Sequence, residues 1–189
     1  MLHWAETPYG SPALFLLALA ESSFFPVPPD PLLIALGIGE RKKAFKFALV
    51  CSIASVLGGI IGYGIGYALW QPEVAEWFYS WVPGFSEGVF NRVKETYQNY
   101  DFWFVFAAGF TPIPYKVFTI AGGVCEISFP MFVFASALSR SARFFLVAGL
   151  IYKFGEPIRN FIDKYFDMLA ILFTVLLIGG FIAIKYFSG

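Results

Sequence analysis

Charge is scarce in this sequence. Asp, Glu, Lys and Arg together make up 14% of it, against a hydrophobic share of 58%. A soluble domain carries about a quarter charged residues, so this chain cannot cover a water-facing exterior with polar groups. Its thirteen basic and thirteen acidic side chains cancel. The basic ones sit in short loops rather than in a stripe, which points away from nucleic acid as a partner. Histidine occurs once, as His3. Without a base beside a nucleophile or a cluster of acidic ligands, no catalytic residue stands out. The chain is therefore not expected to be an enzyme or to hold a metal or cofactor. The two cysteines, Cys51 and Cys125, lie far apart in apolar runs and read as small core residues.

What is abundant is equally informative. Twenty-four Phe, eighteen Gly and a mean hydropathy of +0.69 fit a helical bundle in lipid, where aromatics meet acyl chains and glycine lets helices approach closely. The segment Ala13–Ala20 ends in Ala18-Leu19-Ala20, like a cleavage site, yet no Lys or Arg precedes it. It is expected to stay as a membrane segment rather than to be removed as a signal peptide.

A bilayer core of about 30 Å needs about 20 apolar residues to cross it as a helix. Phe45–Trp70 and Leu169–Phe187 meet that length, and Phe129–Tyr152 does so with Arg140 and Arg143 near its middle. Two other apolar stretches are interrupted. Pro12–Phe25 meets Pro26-Val27-Pro28-Pro29-Asp30-Pro31 and resumes as Leu32–Ile38. Phe102–Phe110 meets Thr111-Pro112-Ile113-Pro114-Tyr115-Lys116 and resumes as Val117–Val124. Proline removes a donor and breaks a helix. Each stretch is therefore expected to be a half-helix, a break at Pro26 and Pro28 or at Pro112 and Pro114, and a second half-helix that re-enters on the side it came from.

The two interrupted stretches align with each other at a constant offset: Phe24, Pro26, Pro28, Ile34, Ala35, Gly37 and Glu40 meet Phe110, Pro112, Pro114, Ile120, Ala121, Gly123 and Glu126. Each is followed by a full span. The expected fold is an all-α integral membrane protein, one membrane domain over residues 1–189. It holds an inverted repeat of re-entrant hairpin plus transmembrane helix, with an extra transmembrane helix at the C-terminus. Repeat 1 runs over about 12–70, an amphipathic interfacial linker over 71–101, repeat 2 over about 102–155, and a C-terminal amphipathic segment and span over 156–189. Arg41, Lys42, Lys43 and Lys46 form the densest basic cluster, followed by Lys153, Arg159 and Lys164. Placing both on the cytoplasmic side sends the two spans in opposite directions.

Ionisable groups at membrane depth are costly and are candidates for function. Here they are Glu21, Asp30, Lys116, Arg140 and Arg143. Glu21 and Asp30 suit proton coupling or substrate contact. Their bland alternative is capping of the broken helices. Lys116 holds the place equivalent to Asp30 in the second repeat, so the two either form an ion pair or face a shared cavity. Lys116, Arg140 and Arg143 suit an anionic head group. The two arginines, three apart on one helix face, alternatively neutralise Glu21 and Asp30. Gly58, Gly62 and Gly66 make a small-residue face for helix packing.

The run Glu21-Ser22-Ser23-Phe24-Phe25-Pro26-Val27-Pro28-Pro29-Asp30 carries a resemblance, with the glycine stripe through Gly62-Tyr63-Gly64-Ile65-Gly66-Tyr67 and Phe110-Thr111-Pro112-Ile113-Pro114-Tyr115-Lys116 before Ala121-Gly122. Together these resemble the DedA family of the VTT (SNARE-associated Golgi protein) superfamily, and its YqaA-like branch most. The resemblance implies paired re-entrant hairpins in a multi-pass protein of the bacterial inner membrane. It further implies flippase- or scramblase-like translocation of a polyprenyl phosphate or other anionic phospholipid, with proton coupling through Glu21 and Asp30. Membrane lipids with an anionic head group are the expected partners, and a homo-oligomer is left open. Family members carry an Arg three residues before the proline that is Pro112 here, where this chain has Gly109. Lys116 answers a second family Arg only loosely, and Arg140 or Arg143 is available to compensate. The competing readings are a non-transporting assembly or homeostasis factor and a proton-coupled transporter of a small solute or ion.

Overall fold

The computed structural model describes residues 9–25, 27–81, 86–111 and 113–155. Every regular element among them is helical. The expected C-terminal amphipathic segment and span lie outside the described residues, as do Pro26 and Pro112.

Helix α1 (Gly10–Ser23) and α2 (Asp30–Gly39) stand on either side of the first proline cluster. α1 stops where Phe24 and Phe25 both donate to the Ala20 carbonyl. α2 starts with Pro29 at its N-cap and Pro31 in its first turn, where a missing N–H costs nothing. A single 3₁₀ turn, Arg41–Lys43, leads into α3 (Ala44–Leu69). Two amphipathic helices then follow, α4 (Pro72–Trp81) and α5 (Glu87–Asn99), the latter capped by the Ser86 hydroxyl, which accepts from the Val89 N–H. The second interrupted stretch folds as α6 (Asp101–Phe110) and α7 (Tyr115–Val124), and α8 (Phe129–Phe154) completes the described chain.

The two halves have matching dimensions. α3 and α8 are each 26 residues long, and α2 and α7 are each 10. At 1.5 Å per residue, 26 residues reach about 39 Å, and both long helices are apolar enough to cross a bilayer. The leading helices, α1 with 14 residues and α6 with 10, and the breaks after them differ in length, so the later helix starts are offset by one residue less than the sequence alignment indicates. Asp30 opens α2 as Tyr115, not Lys116, opens α7.

α3 and α8 pack together at the centre. They run antiparallel: Gly37 of α2 abuts both Ile151 near the end of α8 and Ala44 at the start of α3, while Tyr63 near the end of α3 donates to the Ile127 carbonyl (2.8 Å) just before α8. α1 and α7 flank α3, α6 lies on α8, and α2 touches both long helices. Gly155 ends α8 with φ +63°, a left-handed conformation that glycine adopts freely.

Side chains are distributed inside out. On α3 the buried face is small apart from Phe47, with Ala44, Ala48, Cys51, Ser52, Ala54, Ser55 and Gly58 among its members. The outward face repeats a large residue every fourth position: Phe45, Leu49, Ile53, Leu57 and Ile61, each at least 40% exposed. In water such a stripe would forfeit the transfer energy of five large side chains. Against acyl chains it costs nothing, and small inner faces let backbones meet. Gly58 abuts the Leu19 carbonyl of α1, Gly62 the Thr119 side chain of α7, and Gly66 the Ile120 carbonyl of α7.

α5 is tied to α7 and the turn beyond it through polar contacts. Tyr97 donates to the Phe118 carbonyl and Gln98 to the Cys125 carbonyl, each at 2.8 Å, and Lys94 pairs with Glu126 at 3.1 Å. Burial pushes the Tyr97 phenol up, which keeps it protonated and donating.

The packing can be probed with two glycines two positions apart. A Cβ at Gly66 meets the α7 backbone, whereas one at Gly64 meets open space. Gly66→Leu should destabilise the protein in detergent by about 2 kcal/mol or more, from overpacking against backbone that cannot yield. Gly64→Leu should stay within about 0.5 kcal/mol of the parent. Melting curves that coincide for the two variants would remove this account of the α3–α7 contact.

Candidate functional site

The charged residues named from sequence, except Lys116, converge at one place midway along α3 and α8. Glu21 comes from the last turn of α1 and Asp30 from the first residue of α2, the two sides of the first break. Arg140 and Arg143 project from the middle of α8. Being three apart, they share a face, and that face meets the break.

Two ion pairs result. Arg140 Nη2 lies 3.0 Å from Glu21 Oε2, and Arg143 Nη2 lies 2.8 Å from Asp30 Oδ2. Their surroundings differ. Arg140 is 2% exposed. Its Nε donates to Ser55 Oγ on α3, and its guanidinium carbon sits 4.8 Å from the ring centres of both Tyr115 and Phe144. Ser22 and Ser55 hydroxyls are 2.6 Å apart, and Ser22 also donates to the Glu21 carboxylate at 3.1 Å, closing a small network. Arg143 is less enclosed. Besides Asp30, it donates through Nη1 to the Thr111 carbonyl at 2.9 Å, at the C-terminal end of α6. One guanidinium thus joins the first break to the second. A helix C-terminus with unpaired carbonyls is a natural seat for a cation.

Lys116 does not pair with Asp30. Arg143 holds that carboxylate, and Lys116, half-buried one residue into α7, makes no ion pair among the described residues. The one-residue difference in helix start explains this, because Tyr115 takes the inward position and Lys116 is turned away. Tyr115 is fully buried and its hydroxyl lies against Gly59.

Gly109 also acquires a physical reason. A Cβ there would run into the Ser139 side chain and approach Arg140 Cδ at 3.5 Å. The space that a side chain at 109 would need is taken by the α8 residues that bring in the arginine.

Sequence reasoning overlooked Ser22, Ser55, Thr111 and Tyr115. Ser22 and Ser55 were visible as hydroxyls in otherwise apolar helices, which is the available signal for a buried polar network. The Thr111 contribution is a main-chain carbonyl, and no side-chain pattern announces it.

A family model described as the VTT domain matches residues 27–153, a span that includes Asp30, Lys116, Arg140 and Arg143. An uncharacterized protein of Haemophilus influenzae is 35% identical over 189 residues, covering 97% of this chain and 94% of that protein. An uncharacterized protein of Histophilus somni is 33% identical over 171 residues, covering 86% of this chain and 85% of its own length. No solved structure matches.

Breaking a buried pair by deleting one member leaves the other charge uncompensated, typically at a cost of about 3–5 kcal/mol. Asp30→Ala alone should therefore destabilise more than Asp30→Ala combined with Arg143→Ala. A double-mutant cycle on the detergent-solubilised protein should return a coupling energy of about 1 kcal/mol or more. Strict additivity would show that the two residues are not energetically joined.

Proposed function

Since the chain belongs to the VTT-domain (DedA) family of membrane proteins, we propose that it is a bacterial inner-membrane translocase for an anionic lipid, a polyprenyl phosphate or phospholipid. In this reading the head group exchanges with an internal carboxylate on Arg143. The observation that carries it is the pair of arginines at mid-span, each already holding a carboxylate from the same helix break. A bilayer core tolerates such groups only when they are paired, and membrane proteins keep them where ions or substrates pass.

The two pairs have different tasks. Arg140 and Glu21, fixed by two serines and two aromatic rings, hold the first hairpin against α3 and α8. Arg143 and Asp30 are the exchangeable pair, because the Arg143 side chain is 15% exposed where that of Arg140 is 2%. When a phosphate head group replaces Asp30 on Arg143, the guanidinium offers it two parallel N–H donors. The displaced Asp30 carboxylate then needs a proton to stay at that depth, so anion movement in one direction carries a proton with it. Lys116, half-buried at the second break and free of an ion pair among the described residues, attracts the head group as it enters.

The corresponding topology places the two broken elements as re-entrant hairpins on opposite sides, related by a two-fold axis in the membrane plane. Matching lengths of α3 with α8 and of α2 with α7 support it. So does the Arg140–Ser55 contact, because these residues occupy equivalent positions in α8 and α3 and would meet on such an axis. Broken helices at corresponding positions of two halves mark binding sites in transporters of this kind.

In proteoliposomes, the full chain should speed exchange of a fluorescent anionic lipid between leaflets. Asp30→Asn, checked for folding by size exclusion, should slow that exchange at least fivefold. Rates equal to protein-free liposomes for every anionic lipid tried would sink the translocase reading. Separately, single cysteines at Arg41 and Lys153, in a background lacking Cys51 and Cys125, should be labelled by an impermeant reagent from the same side of the membrane. Labelling from opposite sides would sink the antiparallel arrangement of the two spans.

A further inference from the structure

One end of the bundle carries a concentration of positive charge that the mid-span site does not use. Arg41, Lys42, Lys43 and Lys46 are all exposed around the turn between α2 and α3. The antiparallel packing brings Lys153, in the last turn of α8, to the same end, where the Arg41 guanidinium lies against Gly155. The opposing charge among the described residues here is Glu40, and it is engaged by Lys43 at 2.6 Å.

Local electrostatics make this cluster expensive without an anion. The start of α3 is the positive end of a 26-residue helix dipole, yet its first turn contains no acidic residue and its N-cap, Lys43, makes no side-chain cap. Cations at a helix N-terminus repel the dipole. The carbonyl ends of α2 and α8 relieve Arg41 and Lys153, but Lys42 and Lys46 have no ion pair among the described residues. Beside them is a recess of about 440 Å³ lined by Ile38, Gly39, Glu40, Arg41 and Lys42.

An aromatic band lies along the same end. Phe45 packs against Tyr152, ring centres 5.5 Å apart, and against Phe145 at 6.2 Å, while Lys153 sits 5.4 Å over the Phe154 ring. Aromatic rings flanked by Lys and Arg at the end of a span are the pattern of a membrane–water interface, where the ring tops reach head-group level and the cations sit among phosphates.

We propose that this end binds the head group of an anionic phospholipid from the leaflet it faces, held by Lys42, Lys46 and Lys153 with its acyl chains along the Phe45–Tyr152 pair. The proposal rests on α3 and α8 spanning the bilayer, and it concerns a resident lipid rather than the translocated one. A lipid suits these cations better than free phosphate because the apolar stripe of α3, beginning at Phe45, continues directly from them into the membrane.

The test uses the full chain, purified in mild detergent, and follows its melting temperature with phosphatidylglycerol, phosphatidylcholine or inorganic phosphate added. Phosphatidylglycerol should raise Tm by roughly 3 °C or more beyond phosphatidylcholine. The combined variant K42Q/K46Q/K153Q should melt like the parent in phosphatidylcholine and lose at least half of the phosphatidylglycerol gain. The Asp30→Asn variant, impaired at mid-span, should keep that gain in full. An equal shift with phosphatidylcholine, an equal shift with inorganic phosphate, or an undiminished gain in the triple variant would each overturn the lipid site. Loss of the gain in Asp30→Asn would place lipid binding at mid-span and overturn it as well.

Discussion

Two guanidinium groups stand midway along an apolar helix of 26 residues, and the surrounding structure is organised around keeping them neutral. Isolated charges at that depth would cost about 3 kcal/mol or more each, a large share of a fold's net stability. The first proline break delivers a carboxylate from each of its sides, Glu21 and Asp30, to the two arginines. The small inner face of α3 lets Ser55 reach Arg140. The open carbonyl end of α6 reaches Arg143. The Glu21, Asp30 and Thr111 contributions come from the ends of interrupted helices, and lipid forbids such backbone unless protein covers it. The breaks therefore make the charge cluster feasible, and the cluster in turn holds the breaks in place.

The ionic interior and the greasy exterior have a common origin. A chain with so few charged residues concentrates several of them at one interior point, leaving outer faces such as the Phe45–Ile61 stripe free of polarity. The contacts of α3 with α1 and α7 include close backbone approach at Gly58, Gly62 and Gly66. Association through small residues and interior polar bonds suits a solvent as apolar as the core itself.

Much of this was legible in advance. Hydrophobic run length placed α3 and α8 within one or two residues of their observed ends, because a long apolar run has one available conformation in lipid. Proline placed both breaks, since Pro28, Pro29, Pro31 and Pro114 permit no other local outcome than an end or a start of helix. The charged participants were identifiable because ionisable residues are rare in such runs. Their pairing was not. Periodicity puts Arg140 and Arg143 on one face but does not say what that face meets. A constant sequence offset matched Asp30 with Lys116, whereas the unequal breaks shift the second half by one residue, and one residue of helix turns a side chain by about 100°. That rotation exchanges Lys116 for Tyr115 at the inward position. The Thr111 carbonyl was beyond reach, because its role follows from where a helix stops rather than from what its side chain is.

The crowding between Gly109 and the Ser139–Arg140 segment has an evolutionary corollary. The Ser139 side chain of α8 fills the volume that a Cβ at 109 on α6 would need, while Arg140 Cδ stands at ordinary contact distance. A lineage that gained a bulky base at 109 would have to shrink its α8 residues in step.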